Sequence, residues 1–250
     1  NAYSRTQSFW QNSVLSSFGR AAGPEELALL GAAKDRLPAS ILDGTYKLPV
    51  TDGSGRDRKV LKQALMLMGE AGYAIRDGKL VGRDGKPLTF EILTQDQDQE
   101  KLAIAYQRSL SALGIAVSIR TVEDAQFQER TGKFDYDMVI RTYAASLSPG
   151  IEQQQRWGSE TRNVPGSDNY AGVANPDIDA MVRHILTARD PAEFQAAVRA
   201  HDRLLMAGHY VLPLYHLPEQ RIAHWKYIAH PDKLPLYGAQ LSTWWDQRAQ

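Results

Sequence analysis

Apolar residues recur at helical spacing in two stretches of the first half of the chain. The first stretch covers residues 60–68, with Asp57 before it as a possible cap and Gly72 after it as a possible end. The second covers residues 102–113 and is followed by Gly114. The pattern therefore predicts two amphipathic helices.

Alternating apolar and polar residues predict strands around these helices. Residues 79–81 and 88–93 flank the turn Arg83-Asp84-Gly85-Lys86, which predicts a hairpin. Residues 115–122 alternate again, and residues 136–143 are predicted as a further strand. Strands that alternate with helices are typical of an α/β layer, so we expect the α/β fold class.

Proline in the first turn predicts the start of three further helices, and Asn175 and Asp190 can cap the last two. These helices are expected over residues 24–34, 176–187 and 191–206. A short helix is also predicted around Phe127. The last predicted strands are residues 211–215 and 220–225.

Composition excludes several classes of function. The 250 residues contain 29 basic and 29 acidic side chains, so no net charge favours binding to nucleic acid or an anionic membrane. The sequence has no cysteine, which rules out disulfides and thiolate metal sites and suits a periplasmic protein. No apolar run in the sequence is long enough to span a bilayer.

Catalytic and cofactor motifs are also absent from the sequence. It has no Gly-x-Ser-x-Gly motif and no glycine-rich phosphate loop ending in Lys-Ser or Lys-Thr. His201, His209 and His216 lack the spacing of a helical zinc site. Asp135 and Asp137 could form an acid–base pair on one strand face, although a solvated strand edge is the more common explanation. We therefore expect no enzymatic activity, no cofactor and no metal.

A long polar connection follows the predicted strand 136–143 and precedes the helix that begins near Pro176. It is rich in Ser, Gln, Asn, Gly and Pro and contains Trp157 and Tyr170. Connections of this length are uncommon in compact domains and are usually functional. Polar groups and aromatic rings on a loop held by rigid elements can form a pocket for a small molecule or peptide. A surface loop without a function is the alternative.

Arg141 and Tyr143 lie on one face at the end of the predicted strand. Arg141 could bind a ligand carboxylate through two parallel hydrogen bonds, or it could pair with Asp137 or Glu123. Tyr143 offers a flat apolar face and a hydroxyl group. Both are candidate ligand-binding residues.

The loop supplies further candidates at the start of a predicted short helix. Ser146 and Ser148 are small donor and acceptor groups, and Glu152 and Gln153 open the helix. Glu152 could face a ligand amine, or it could be a first-turn acid that the helix dipole favours.

Two later positions complete the candidate set. Trp157 could line a pocket or cover the core. Asn169 could pair with a peptide amide, or it could be a turn residue. The predicted ligand-binding residues are Arg141, Tyr143, Ser146, Ser148, Glu152, Gln153, Trp157 and Asn169.

Four segments resemble extracellular solute-binding proteins of family 5, which serve peptide-importing ABC transporters. They are YSRTQSFWQNS at residues 3–13, residues 51–93, SLSPGIEQQQRWGSE with the following NYAGVANPDIDAMV, and VLPLYHLPEQRIAHW with STWWD. These segments span the chain in the family's order. Within the family, the sequence is most similar to the branch that captures oligopeptides and peptide-linked, microcin-type compounds.

The resemblance implies a lobe of the periplasmic-binding-protein type II kind, with a mixed sheet flanked by helices. Residues 21–217 would form this ligand-binding lobe. Residues 1–20 would belong to the hinge and the other lobe, and residues 218–250 would return to the other lobe. Because Asn1 falls inside a family motif, we expect the chain to be the C-terminal part of a longer protein that carries a signal peptide. Three tryptophans would then lack part of their packing, unless they cover this lobe's own core: Trp225, Trp244 and Trp245.

The resemblance also implies a function. The whole protein would capture oligopeptides or peptide-like conjugates in the periplasm by closing two lobes, and an inner-membrane ABC permease would recognise the loaded form. The missing N-terminal part of the same protein would complete the cleft, and no nucleic acid would be bound. The alternatives are the ligand-sensing domain of a transcriptional regulator, or a hydrolase.

The sequence departs from the family at one position. In familiar di- and oligopeptide receptors, an aspartate just before the loop's proline binds the free amino end of the peptide. The corresponding place falls near Ala145, and neither Ala144 nor Ala145 can form an ion pair. Either Glu152 replaces the aspartate or the ligand is modified.

Overall fold

The computed structural model describes residues 3–235 and 238–249. The chain divides into two compact units, one formed by Gln7–Val211 and one formed by Asn1–Thr6 with Leu212–Gln250. The predicted assignment of residues 1–20, 21–217 and 218–250 concerns the lobes of a whole protein, and it stays a prediction.

The larger unit carries the α-helices of the described residues. In chain order they are α1 (Pro24–Leu30), α2 (Ala39–Leu42), α3 (Arg58–Glu70), α4 (Gln97–Ser111), α5 (Asp124–Gly132), α6 (Glu152–Trp157), α7 (Pro176–Thr187) and α8 (Pro191–Gly208). The strands of both units are β1 (Ser4–Arg5), β2 (Ala74–Arg76), β3 (Lys79–Val81), β4 (Thr89–Thr94), β5 (Ala116–Thr121), β6 (Met138–Val139), β7 (Tyr215–His216), β8 (Ile228–Ala229) and β9 (Trp245–Asp246). No helix among these residues is long and apolar enough to cross a membrane.

The central sheet of the larger unit has β4 in the middle. β5 lies parallel on one side, with Thr89 opposite Ala116, and β6 lies parallel on the other, with Ile92 opposite Met138. Strand, helix and strand alternate from β4 to β6, so the predicted α/β layer is confirmed. Parallel pairing occurs in this sheet, and antiparallel pairing occurs in separate two-stranded ribbons.

The predicted hairpin between residues 79–81 and 88–93 is confirmed at its turn, but its pairing is short. Across the turn the Gly82 amide donates to the Lys86 carbonyl at 2.9 Å, the Leu88 amide donates to the Leu80 carbonyl at 2.8 Å, and a bridge joins Val81 to Pro87. β3 also pairs antiparallel with β2 across the Asp77-Gly78 turn, in which both residues have positive φ, at 49° and 74°. Two-residue Asp-Gly turns of this kind match the twist of the strands they connect.

Three other predicted strands are shorter than expected or absent. The strand predicted over residues 136–143 is reduced to β6, because beyond Val139 it has no ladder partner among the described residues. The strand predicted over residues 211–215 is wrong except for Tyr215, which lies in β7. Residues 220–225 are exposed and have no strand, since alternation alone supplies no pairing partner.

The predicted helix caps are confirmed. The side chain of Asp57 accepts hydrogen bonds from the amides of Lys59 and Val60 at the start of α3. Asn175 and Asp190 cap α7 and α8 in the same way. The helix predicted over residues 24–34 is instead α1 followed by a 3₁₀ helix, Gly31–Arg36, and Gly31 has a φ of 51° where the two meet.

The largest apolar core lies between α1, α7 and α8. Its fully buried residues include Val173, Ile178 and Leu205, and Trp157 belongs to the same cluster. A second core beside the β-sheet contains Leu80, Leu110, Leu113 and Ile115. The first core holds α7, and Val139 of β6 packs against a smaller cluster of Leu93, Val122 and Phe127. The long polar connection runs between these two elements.

A buried carboxylate on α8 holds the start of the larger unit. Asp202 accepts hydrogen bonds from the Ser8 hydroxyl at 2.8 Å, the Phe9 amide at 2.9 Å, and both the amide and hydroxyl of Ser17. Burial raises the pKa of Asp202, and these hydrogen bonds oppose that rise. The segment from Ser8 to Ser17 is thereby tied to α8.

His201, the neighbour of Asp202, is fully buried against Trp10, with ring centroids 5.8 Å apart. Neither of its ring nitrogens has a hydrogen-bond partner among the described residues. Burial lowers the pKa of His201 from 6.5 to about 3. The folded state therefore holds a neutral imidazole.

We expect this histidine to make the chain sensitive to acid. Because its pKa is lower when folded, its contribution to stability is complete above pH 6.5 and is lost as the pH falls towards 3. Between pH 7 and pH 5 the loss is about 2 kcal/mol. Urea unfolding at a series of pH values should show a shallower acid decline for His201→Leu than for the wild type. Equal slopes for the two proteins would contradict this assignment.

The described part of the smaller unit contains two antiparallel ribbons, β1 with β7 and β8 with β9, and two 3₁₀ turns, Leu241–Thr243 and Gln247–Ala249. The side chain of Trp225 is 72% exposed and that of Trp245 is 42% exposed. Trp244 is half-buried and contacts His224 and His230, each with ring centroids 5.1 Å away. Of the three tryptophans expected to lack part of their packing, Trp225 and Trp245 are exposed and Trp244 is half-buried. That the rest of the whole protein covers them stays a prediction.

Candidate functional site

The connection between β6 and α7, residues 140–175, is here called the site loop. Its fold depends on Asn169, which is fully buried. The side-chain nitrogen of Asn169, Nδ2, donates to the carbonyls of Gly158 and Val173 at 2.9 Å each. Its side-chain oxygen accepts from the backbone amide of Val173 at 2.8 Å. The groups that were predicted to pair with a ligand amide thus cross-link the site loop itself.

Trp157 and Gln153 are also buried, on the inner side of α6. The Trp157 ring packs edge-on against Phe9, with centroids 5.1 Å apart, and contacts Tyr143 at 5.2 Å. The side chain of Gln153 donates to Glu152 at 3.1 Å. Of the two interpretations of Trp157, the structure gives it the place of a core residue that supports Tyr143 from behind.

Arg141 lies against Tyr170 rather than against an acid. Its guanidinium donates to the Tyr170 hydroxyl at 2.6 Å and lies 4.2 Å from the centroid of that ring. The Tyr170 hydroxyl in turn donates to Asp168 at 2.9 Å. The alternative pairing of Arg141 with Asp137 or Glu123 is wrong, because neither forms an ion pair with it in the described chain.

Tyr143 is half-buried between Trp157 and Tyr170, whose ring centroids lie 5.2 and 6.4 Å away. The guanidinium of Arg156 lies 5.5 Å from the Tyr143 centroid and donates to the carbonyl of Ala144 at 3.0 Å. We call the set of Arg141, Tyr143, Arg156, Trp157 and Tyr170 the aromatic wall. It combines apolar ring faces with two guanidinium groups, which suits a ligand that has both amide and apolar parts.

The tyrosine hydroxyls around the aromatic wall stay protonated at neutral pH. Burial raises the pKa of Tyr136 to about 12 and also raises the pKa of Tyr143 and Tyr170. Tyr136 donates to the Tyr170 carbonyl at 2.9 Å, which fixes the backbone beneath the ring. These groups are therefore neutral hydrogen-bond donors.

The side chain of Glu152 caps the start of α6. Both carboxylate oxygens of Glu152 accept from the Gly150 amide at 2.9 Å. Partial burial raises the pKa of Glu152, but hydrogen bonds from Gly150 and Gln153 outweigh it, so the pKa is lowered overall. Ser146 accepts from the Ser148 amide at 3.0 Å, and both serines are exposed.

The structure thus brings Arg141, Tyr143 and Trp157 together and places Asn169 and Gln153 in the interior. Sequence reasoning did not select Arg156 or Tyr170 as binding residues. Tyr170 had a usable signal, since it is a large aromatic residue in a polar loop. Arg156 had none, because its role depends on the turn that places α6 beside Ala144.

A separate surface cleft, with a volume of about 350 Å³, is lined by other residues. Its lining is polar and includes Arg120, Arg130 and Asp135. Arg130 pairs with Asp135 at 2.8 Å and with Glu91 at 2.9 Å, and Asp137 accepts from the Glu91 amide. The two aspartates considered as an acid–base pair therefore have separate structural partners. In the described ranges no group of three or more His, Cys, Asp or Glu side chains could hold a metal ion.

Comparisons with known proteins relate this chain to solute-binding proteins. Residues 32–164 match the family model for bacterial extracellular solute-binding proteins, family 5 Middle. The chain is 56% identical over its full length to "Peptidoglycan-binding protein YepA" and 37% identical over 99% of its length to "Probable peptide-binding protein YejA", both from Agrobacterium fabrum (strain C58 / ATCC 33970). It spans 40% of the length of each of these relatives.

Solved structures show the same fold at low sequence identity. The oligopeptide-binding protein AppA from Bacillus subtilis, in complex with a nonapeptide, matches 93% of this chain and 46% of its own with a TM-score of 0.58 and 18% identity. NikZ from Campylobacter jejuni, in complex with Ni(L-His), matches 82% of this chain and 41% of its own with a TM-score of 0.59 and 16% identity. At these identities the likeness extends to the fold alone.

Proposed function

We propose, because this chain belongs to family 5 of the bacterial extracellular solute-binding proteins, that the whole protein is the ligand-capturing component of an ABC importer for oligopeptides or peptide-like conjugates. The predicted family and the predicted periplasmic-binding type II fold are both confirmed. The observation that carries the proposal is the aromatic wall on the site loop of this lobe. It offers the ring faces and donors that a peptide main chain requires.

The wall has contacts suited to a peptide. Tyr143 and Tyr170 present ring faces and neutral hydroxyls, and Arg141 has guanidinium donors beyond the one used on Tyr170. Ser146 and Ser148 are exposed beside it. We assign direct contact to these residues and Glu152. The buried Gln153, Trp157 and Asn169 hold the wall in shape.

The printed names of the relatives narrow the ligand class. One relative is called peptidoglycan-binding and another probable peptide-binding. A peptide joined to a second chemical group, such as the peptide part of peptidoglycan, meets both descriptions. We therefore place such peptide conjugates beside plain oligopeptides as the ligands to test first.

The mechanism is capture by closure of two lobes. Family 5 proteins are periplasmic, non-enzymatic solute-binding proteins that work with ABC permeases. For this protein we propose periplasmic export by a signal peptide, closure around the ligand by hinge bending, and delivery to an inner-membrane permease. Closure would exclude water and strengthen each hydrogen bond that the wall makes. No catalytic step is needed.

Calorimetry with a mixture of short peptides tests the proposal. The whole protein is expected to bind the mixture with sub-micromolar affinity. Residues 1–250 alone are expected to show no sub-micromolar binding, because they hold about half of the cleft. Failure of the whole protein to bind any peptide would reject the proposed function. Tight binding by residues 1–250 alone would reject the claim that these residues hold only about half of the cleft.

A further inference from the structure

Three aromatic side chains of the smaller unit come together at one end of the β8–β9 ribbon. Ala229 lies opposite Trp245 in the antiparallel register. The next position outward sets His230 opposite Trp244, and their ring centroids are 5.1 Å apart. His224, which precedes β8, also lies 5.1 Å from Trp244, and its centroid is 5.7 Å from that of His230. The two imidazole rings therefore lie side by side against one tryptophan.

The backbone fixes the tautomer of both imidazoles. Nδ1 of His224 lies 3.1 Å from the carbonyl oxygen of Trp225, and Nδ1 of His230 lies 3.0 Å from that of Pro231. Because a carbonyl oxygen can only accept a hydrogen bond, each Nδ1 carries the proton of the neutral ring. Each Nε2 then has a free lone pair, and neither Nε2 makes a hydrogen bond to another described residue.

An Nδ1–H that donates to a backbone carbonyl is typical of metal-binding histidines. Such histidines bind the ion through one ring nitrogen and donate the other N–H to a carbonyl or carboxylate, which fixes the ring. The bond from a metal such as zinc to an imidazole nitrogen is about 2.0–2.1 Å long. One ion held by two rings therefore requires ring centroids within about 6.5 Å of each other. The observed separation of 5.7 Å meets this requirement.

The histidine pair is accessible and is not neutralised by an acid. Both rings belong to exposed residues, so an ion from solution can reach them. Neither histidine forms an ion pair within the described ranges. The carboxylate of Asp246, two residues after Trp244, is paired with Arg248 at 2.8 Å. The described residues bring no third histidine or acid to the pair, so water would complete the coordination of a bound ion.

We infer that His224 and His230 together bind one transition-metal ion of the kind that prefers imidazole nitrogen, and that copper(II) binds most tightly of the common divalent ions. The second nitrogen binds within the same molecule, so the pair holds an ion more tightly than a single surface histidine does. A bound ion would join the segment before β8 to the end of the β8–β9 ribbon. The inference is independent of the proposed peptide-binding function.

Titration of copper(II) chloride into the whole protein, without a histidine tag and in a non-chelating buffer, tests the inference. Copper(II) quenches the fluorescence of a nearby tryptophan, so Trp244 reports the binding. His224→Gln and His230→Gln are each expected to raise the dissociation constant by at least about tenfold. Electron paramagnetic resonance of the wild-type complex should show coupling to two imidazole nitrogens.

His209→Asn is the matched control. His209 is an exposed histidine at the end of α8 with a φ of 50°, a conformation that asparagine tolerates. This variant should keep the wild-type dissociation constant within about twofold. Circular dichroism checks that each variant folds. Equal dissociation constants for the wild type, His224→Gln and His230→Gln, or coupling to only one nitrogen in the wild type, would overturn the inference.

Discussion

Replacing Arg203 with methionine is expected to lower the free energy of unfolding by about 3–5 kcal/mol. The Arg203 side chain is 1% exposed and donates to the Glu26 carboxylate at 2.8 Å, to the Ile41 carbonyl and to the Arg20 carbonyl. Its removal leaves a buried carboxylate without its ion pair and two carbonyls without a donor. It also removes the hydrogen bonds that join α8 to α1 and α2. Urea unfolding followed by circular dichroism measures the loss.

Arg199→Met provides the control for Arg203→Met. Arg199 lies one turn earlier on α8, is only partly buried, and donates to a single acceptor, the Val14 carbonyl. Its replacement should cost about 1–2 kcal/mol. In the double variant Glu26→Leu with Arg203→Met, the loss should be smaller than the sum of the two single losses, because neither charge of the buried pair is left without its partner. The assignment fails if Arg203→Met costs no more than Arg199→Met.

Replacing Arg141 with glutamine in the whole protein is expected to weaken peptide binding by about 30- to 100-fold. A charge-assisted hydrogen bond to a ligand is worth about 2–3 kcal/mol in a closed site, and the stack of Arg141 on Tyr170 fixes the direction of its free donors. Tyr170→Phe keeps the ring but removes the hydroxyl that accepts from Arg141, and it should cost about tenfold. Calorimetry with one defined peptide gives both values.

Arg120→Gln controls for the loss of a positive charge as such. Arg120 is exposed and lines the polar cleft beside α5, away from the aromatic wall. Its replacement should leave the dissociation constant unchanged within about twofold. Equal affinities for the wild type, Arg141→Gln and Tyr170→Phe would remove the aromatic wall from the ligand site.

Local chemistry made much of the fold predictable. Asp57, Asn175 and Asp190 cap their helices as expected, since capping depends on a few neighbouring residues. The pairing of the strands was less predictable, because a β-strand forms only where another strand lies beside it. The pairing of β2 with β3 across the Asp77-Gly78 turn was not predicted, and residues 220–225 have no strand partner in the described chain.

The sequence points to the loop after β6 as the candidate site, and this stays a prediction, but the sequence does not show which way the side chains of the loop point. The length and composition of the connection after β6 pointed to a functional loop. Whether Trp157 and Asn169 face a ligand or the interior depends on how the loop folds back on α7. The sequence gives no periodicity for such a fold, so the burial of both residues could be learned only from the structure.

The central claim is that the aromatic wall lines the ligand cavity of the whole protein. A crystal structure of that protein with its co-purified ligand, identified by mass spectrometry, tests the claim most directly. We predict a peptide or peptide conjugate with atoms within about 4 Å of Tyr143, Tyr170 and Arg141. A ligand enclosed between the lobes that contacts none of these three side chains would contradict it.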